Sequence, residues 1–279
     1  MHDAGAGAWH SVVDRHFAAF AVQYRAQLAL QLHYRAAHVV WLLWFVLKPV
    51  LYLTVWTAVG RSSGGPVGGL APEDLAAYFI AIMWIVHLTF NGAFAYIEGR
   101  VRRGDFSPLL LRPVHPIVGD LAENLAYKTH TTPMLALATL VLVHTFGPRF
   151  EPPLWALVAA VPAVVLAFVV RFVTTWTVAL AAFWLTRIQA VAQAYLLILL
   201  FLGGEVAPLV LLPGWVQAVA WWSPFPWMLG FPADLVVGRV APAQALMGIA
   251  MQVLWAALSL LLAWACWRAA LRRYTAVGA

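Results

Sequence analysis

Charge is what this sequence lacks. Of its 279 residues, 10% are charged and 63% are apolar, whereas a soluble domain averages about 25% charged and about 45–50% apolar. A chain of this size cannot hide so much apolar surface behind a polar shell. A water-soluble fold is excluded, and no polar stretch is long enough to form a separate soluble catalytic domain. Cysteine is nearly absent: Cys266 stands alone, so no intrachain disulfide staples the fold. Lysine is scarce too, and neither Lys48 nor Lys128 follows the glycines of a phosphate-binding loop, so the chain carries no ATPase motif. H-E-x-x-H, paired cysteines and G-x-S-x-G are missing. His33/His38 and His130/His144 lack the three- or four-residue spacing of a helical ligand pair. No catalytic residue, no metal and no cofactor are expected. Residues 1–36 contain no continuous apolar run of the kind a signal peptide needs.

What is present is long apolar sequence. A helix crossing the hydrocarbon needs about 20 mostly apolar residues, and six stretches qualify: 37–59, 75–97, 120–145, 156–186, 189–211 and 243–266. The expected fold is an all-α integral membrane protein with six transmembrane helices. Segment 212–242 is Pro- and Trp-rich, too apolar for an ordinary loop, and reads as short helices at or dipping into one membrane surface. The net charge of +6 bears on orientation rather than on nucleic acid. With the N-terminus inside, the inner segments hold eleven arginines (15, 25, 35, 100, 102, 103, 112, 187, 268, 272 and 273) and the outer ones three (61, 149 and 239). Both termini are thus expected on the cytoplasmic side. Three divisions follow: a cytoplasmic N-terminus over 1–36, a transmembrane domain over 37–267 and a cytoplasmic tail over 268–279. Trp41, Trp155, Trp221 and Trp222 sit at span ends, as interfacial belt residues do.

Residues 9–34 put Trp9, Val13, Phe17, Phe20 and Tyr24 on one stripe at helical spacing, opposite Ser11, Asp14, Arg15 and Arg25. This is an amphipathic interface helix, serving either as a surface anchor or as an element that a cytoplasmic partner pushes against. Charges inside spans are costly and mark partners or water. Arg171 and Glu205 each lie 17 residues from Ile188, about 25 Å along antiparallel helices. They are expected at one depth, paired as a gate or reaching water separately. Lys48 precedes Pro49 mid-span, as a polar point of the path or a snorkelling lysine at a kink. Asp120 and Glu123 complement a helix N-terminus.

The most informative loop is EGRVRRGDFSPLLLRPVHP (98–116). Arg100, Arg102 and Arg103 precede a break at Gly104. Ser107-Pro108 reads as a helix start, Leu109, Leu110 and Leu111 follow, and Pro113 and Pro116 close it. Such an apolar helix either folds back on the membrane or docks into a partner. Together with GDFSPLLLRPVHP, the segments FLGGEVAPLVLLPGWVQAVAWWSPFPW (201–227) and FPADLVVGRV (231–240), and the ending WRAALRRYTAVGA (267–279), resemble the permease subunits of type-2 ABC exporters. The likeness is to the uncharacterised or daunorubicin-type subgroup.

The resemblance implies six helices preceded by an interface helix, and a short external helical hairpin over 206–242 between the fifth and sixth. Two permeases, alike or different, would form the path in a bacterial inner membrane. Two separate ATP-binding subunits, carrying ATP and magnesium, would drive export of an amphipathic or lipid-linked substrate. The loop 98–118 would be the coupling helix, with Arg100, Arg102, Arg103, Gly104, Phe106, Ser107, Pro108, Leu109, Leu110, Leu111, Arg112 and Pro113 at the ATPase. Two rival readings are a stand-alone secondary transporter, which calls for more acidic groups in the spans and an internal repeat, and a membrane-embedded lipid-modifying enzyme, which calls for a polar catalytic cluster at one face.

Overall fold

The computed structural model describes residues 4–33, 35–62, 65–185 and 187–274, with side chains described beyond residue 14 except at some positions between 35 and 61. Among the described residues there are twelve α-helices: α1 (Ala4–His33), α2 (Arg35–Ser62), α3 (Pro72–Thr89), α4 (Ala93–Arg103), α5 (Phe106–Leu110), α6 (Pro116–Phe146), α7 (Leu154–Ala179), α8 (Gln189–Leu202), α9 (Gly214–Trp221), α10 (Phe225–Met228), α11 (Gly230–Val236) and α12 (Pro242–Arg273). Proline opens α3, α6 and α12, where its missing N–H costs nothing. His115 Nδ1 caps α6 by accepting from the Ile117 N–H at 3.2 Å. Gly147 ends α6 in the left-handed region that a helix C-terminus favours.

Among the described residues, three helical segments are long and apolar enough to cross a membrane: Pro72–Arg103, Leu154–Phe183 and Pro242–Arg273. Val46–Trp56 and Gln189–Leu202 are shorter apolar helices. α6 has the length, at 31 residues, but Asn124, Lys128, His130 and its threonines dilute its apolar character. The second expected span, 75–97, falls within Pro72–Arg103, but its helix is interrupted: α3 stops at Thr89 and α4 restarts at Ala93, with Asn91-Gly92, a turn-forming pair, between them. One expected span is corrected. The fifth stops being helical at Leu202 rather than 211, because Gly203-Gly204 ends it. Its 14 residues reach only about 21 Å.

α3 is the centre. Leu75 through Met83 are all buried, so neighbours surround this helix. α7 packs closely on α12 through small residues at three- and four-residue steps, Ala156, Ala160, Ala163 and Ala167 against Ala245, Gly248, Ala256 and Ser259. In lipid, close backbone approach of this kind replaces the hydrophobic effect as the packing force. The Gln252 amide, fully buried on α12, donates to Ala163 O at 2.9 Å and Trp227 O at 2.8 Å. The opposite face of α12 exposes Leu246, Leu254, Leu261 and Trp264, a surface suited to lipid. Within 206–242, α9 presents Trp215 and Trp221 outward, whereas Gly230–Ala233 of α11 are buried against α3 and α7. This segment therefore consists of short helices, the last of which dips into the helix packing.

Candidate functional site

Two sites stand at opposite ends of α4. The first is the loop helix. α4 ends on Gly104, at φ 75°, whose N–H reaches the carbonyls of Arg100 and Val101. That left-handed residue turns the chain sharply. α5 then begins at Phe106, one residue before the expected Ser107-Pro108 start. Phe106 sets this register by inserting into the protein. Its ring, 1% exposed, lies 5.1 Å from Phe183, 6.3 Å from Trp267 and 6.2 Å from Tyr274. Tyr274, just past α12, shares a hydrogen bond with the Ser107 hydroxyl at 2.9 Å and donates to Gly104 O at 3.1 Å. Leu109 packs on the same aromatic cluster, and Leu110 is half-buried.

Arg100 also faces inward. It pairs with the buried Asp120 carboxylate and lies 3.8 Å from Glu123. Asp120 in turn accepts from Trp176 Nε1 at 2.9 Å. Glu98 accepts the Ile188 N–H at 3.2 Å, which ties α4 to the start of α8. Of the twelve residues expected at a partner, Arg100 and Phe106 thus form the foundation. Arg102, Arg103, Pro108, Leu111, Arg112 and Pro113 form the outward surface, with Leu111 87% exposed. Burial holds the pKa of His115, at the loop's end, below its ordinary 6.5, and nearby His16 adds to the effect.

α1 lies against α6. The Tyr24 hydroxyl meets Thr129 Oγ1 at 2.9 Å, and Phe20 stacks on Tyr24 with ring centres 6.0 Å apart. Phe17 points outward, 72% exposed. The side chains of Trp9 and Val13 lie outside the described residues.

The second site is a cavity of about 600 Å³ bounded by α2, α3, α4, α6, α7, α8 and the turn after α8. It collects Lys48, Arg171 and Glu205 on one lining, but not in the expected pairing. Glu205 takes its ion pair from Lys48, Nζ to Oε1 at 2.6 Å. Arg171 donates instead to Val86 O at 3.2 Å and Thr89 Oγ1 at 2.8 Å. Arg171 and Glu205 thus meet one cavity, as equal depth requires, but Glu205 lies in the turn beyond the end of α8, where Lys48 of α2 takes its carboxylate.

The break between α3 and α4 explains the buried cations. A helix that stops inside a membrane leaves carbonyls needing donors. Phe90 O accepts from Lys128 Nζ at 2.8 Å and Asn124 Nδ2 at 2.9 Å, while Arg171 takes Val86 O. Cations at a helix C-terminus are also favoured by its dipole. Asn91 Oδ1 accepts the Ala93 N–H at 3.0 Å, starting α4. The turn after α8 is held likewise: Tyr78 donates to Gly204 O at 2.7 Å and Trp56 Nε1 to Val206 O at 2.9 Å. Lys128, Asn124, Asn91 and Tyr78 were not among the expected site residues. Two sequence signals pointed to them, Asn91-Gly92 inside an apolar run and Asn124/Lys128 one helical turn apart.

A family model described as ABC-2 family transporter protein matches residues 46–278, more than four-fifths of the chain. The match takes in both the loop helix and the cavity. No curated protein and no solved structure matches the chain. The chain is a multi-pass membrane protein and belongs to the ABC-2 transporter family, the membrane components of transporters rather than their ATPases.

Proposed function

We propose that this chain is the permease subunit of an ATP-driven exporter, its loop helix docked on an ATP-binding subunit. Family membership implies association with such subunits. The observation that carries the reading is the contrast between the two ends of the loop helix: Phe106, at the start of α5, is anchored and Leu111, just past its end, is bare. With Pro108, Arg112 and Pro113 exposed beside it, Leu111 belongs to a small apolar and basic face on a braced turn, a shape that suits a cleft on a partner. The bracing supports transmission, since Arg100–Asp120 joins α4 to α6, Glu98 joins α4 to the start of α8, and Tyr274 joins the loop to α12.

In this reading six helical units cross the membrane: α2, α3 with α4, α6, α7, α8 with its following turn, and α12. The positive-inside bias puts both termini and the 98–118 loop in the cytoplasm of a bacterial cell. Two permeases, identical or of the daunorubicin-type paired kind, enclose the path, and two ATPases power it. α1 lies beside the loop's base as the interface helix. The cargo is amphipathic or lipid-linked.

Purification of the tagged chain from native membranes tests this. The wild-type chain brings down an ATP-binding subunit and ATPase activity. Leu111→Asp loses both by at least about tenfold, with unchanged yield and helicity because Leu111 touches solvent. Active uptake into liposomes by the chain alone, driven by an ion gradient, would overturn the reading.

A further inference from the structure

The cavity has a chemical bias that the transport reading leaves open. Its walls are apolar, with Pro49, Ile82, Met83, Leu196, Leu197 and Leu200 among them. Its charges are Lys48, Arg171 and Glu205, two cations to one anion, and Lys128 stands behind the wall on Phe90 O. Arg171 is 5% exposed. Both of its hydrogen bonds leave from Nη1, so Nε and Nη2 hold no partner among the described residues. A guanidinium has five donors, and a buried one short of a counter-ion is expensive. Glu205 does not supply that counter-ion directly, because its ion pair is with Lys48. The Lys48 side chain is a third exposed, and Glu205 sits in the non-helical turn after α8.

We propose that this cavity binds an amphiphile with an anionic head group and an apolar tail, the head settling between Lys48 and Arg171 as Glu205 gives way. The count decides the sign. An anion makes two cations face two anions, whereas a cationic head would set three cations against one carboxylate in a low-dielectric site. The volume, about 600 Å³, is that of a pocket for one drug-sized molecule, commonly about 300–1,000 Å³. The inference names the substrate class of the proposed permease and rests on that reading for the occupant's role as cargo. An anionic membrane lipid presents the same chemistry.

The test uses the purified full chain in phosphatidylcholine nanodiscs. Fluorescence titration compares a dansylated undecanoic acid with its methyl ester and with a dansylated alkylamine of equal length. The acid binds at least about tenfold tighter than either, and Lys48→Gln erases about tenfold of that, the worth of one charge-assisted hydrogen bond. Glu205→Gln removes the competing carboxylate and tightens the acid. Equal binding of acid and ester overturns the proposal, as does an amine preference that Glu205→Gln abolishes. Circular dichroism confirms that each variant is folded, and Lys48 is chosen over Arg171 because it is partly exposed. Repeating the titration with phosphatidylglycerol in the nanodisc separates the sources. Displacement of the acid identifies a resident lipid, and undiminished binding identifies a separate cargo, both with the anionic head required. No ATPase is needed, so loss of acid binding in a chain that still recruits its ATPase overturns this inference alone.

Discussion

The two ends of α4 are built on opposite plans. At its last turn, Arg100 is paired with Asp120, Asp120 is bonded to Trp176, and Phe106 fills an aromatic box. At its first turn, Gly92 and Ala95 border a cavity whose lining carries two cations and one carboxylate, the carboxylate paired with Lys48 alone, and where the neighbouring helices are interrupted. Barely 15 Å of helix separates them, at about 1.5 Å per residue. The loop end has its inward-facing charges paired and Phe106 packed among rings, with a smaller cavity of about 260 Å³ between Arg100, Asp120 and α1, and this bracing suits the push-transmitting role proposed for it. The cavity end keeps space and an unmatched cation, which is how a part that must exchange occupants is made.

The sharpest way to break the comparison is to remove one charge at each end. Asp120→Ala strands Arg100 and Trp176, and about 3–5 kcal/mol of stability is expected to go. Lys48→Gln leaves the buried Glu205 an amide in place of an ammonium, with Arg171 on the same lining, and costs less, about 1–3 kcal/mol. Unfolding in detergent micelles measures both, and equal losses would erase the distinction between braced and open ends. Next in size is Gly104→Ala. A β-carbon at φ 75° is expected to cost about 1–2 kcal/mol, with reduced recovery of the ATP-binding subunit because the loop loses its angle. Unaltered recovery would show that the turn tolerates slack.

The smallest effect concerns His115. Its folded pKa lies below its unfolded one, so at neutral pH the two states are equally deprotonated and nothing is lost. As pH falls below 6.5 the unfolded chain takes up protons first, and stability declines until the folded pKa is passed. Protonation of Nδ1 also removes the cap on the Ile117 N–H. His115→Gln is expected to flatten the decline between pH 7 and 5. A variant that keeps the full slope would place the titration elsewhere.

Much of the fold was legible because apolar run length is a local signal. The expected 37–59, 120–145, 156–186 and 243–266 fall on α2, α6, α7 and α12 within a few residues at most ends. What escaped was set by contacts distant in sequence. Nothing near Lys48 points to a carboxylate 157 positions away. The turn pair Asn91-Gly92 was visible, but the donors that satisfy the broken helix, Asn124, Lys128 and Arg171, come from other helices, and the inward turn of Phe106 depends on Phe183, Trp267 and Tyr274. The loop's outer surface, by contrast, follows from its own residues, since an apolar turn bounded by arginines and prolines has few ways to face.

The Tyr274 contact has a consequence in time. The loop at Gly104 and Ser107 is completed by a hydroxyl 170 positions further along. At about 5–20 residues per second, the ribosome needs on the order of ten to thirty seconds to supply it. Until α12 has been made and inserted, the aromatic box lacks Trp267 and Tyr274, and Phe106 has only Phe183 to hold it. The turn that offers Leu111 therefore becomes firm only once α12 and Tyr274 have been made, and chains that stop short of them offer no settled seat to a motor.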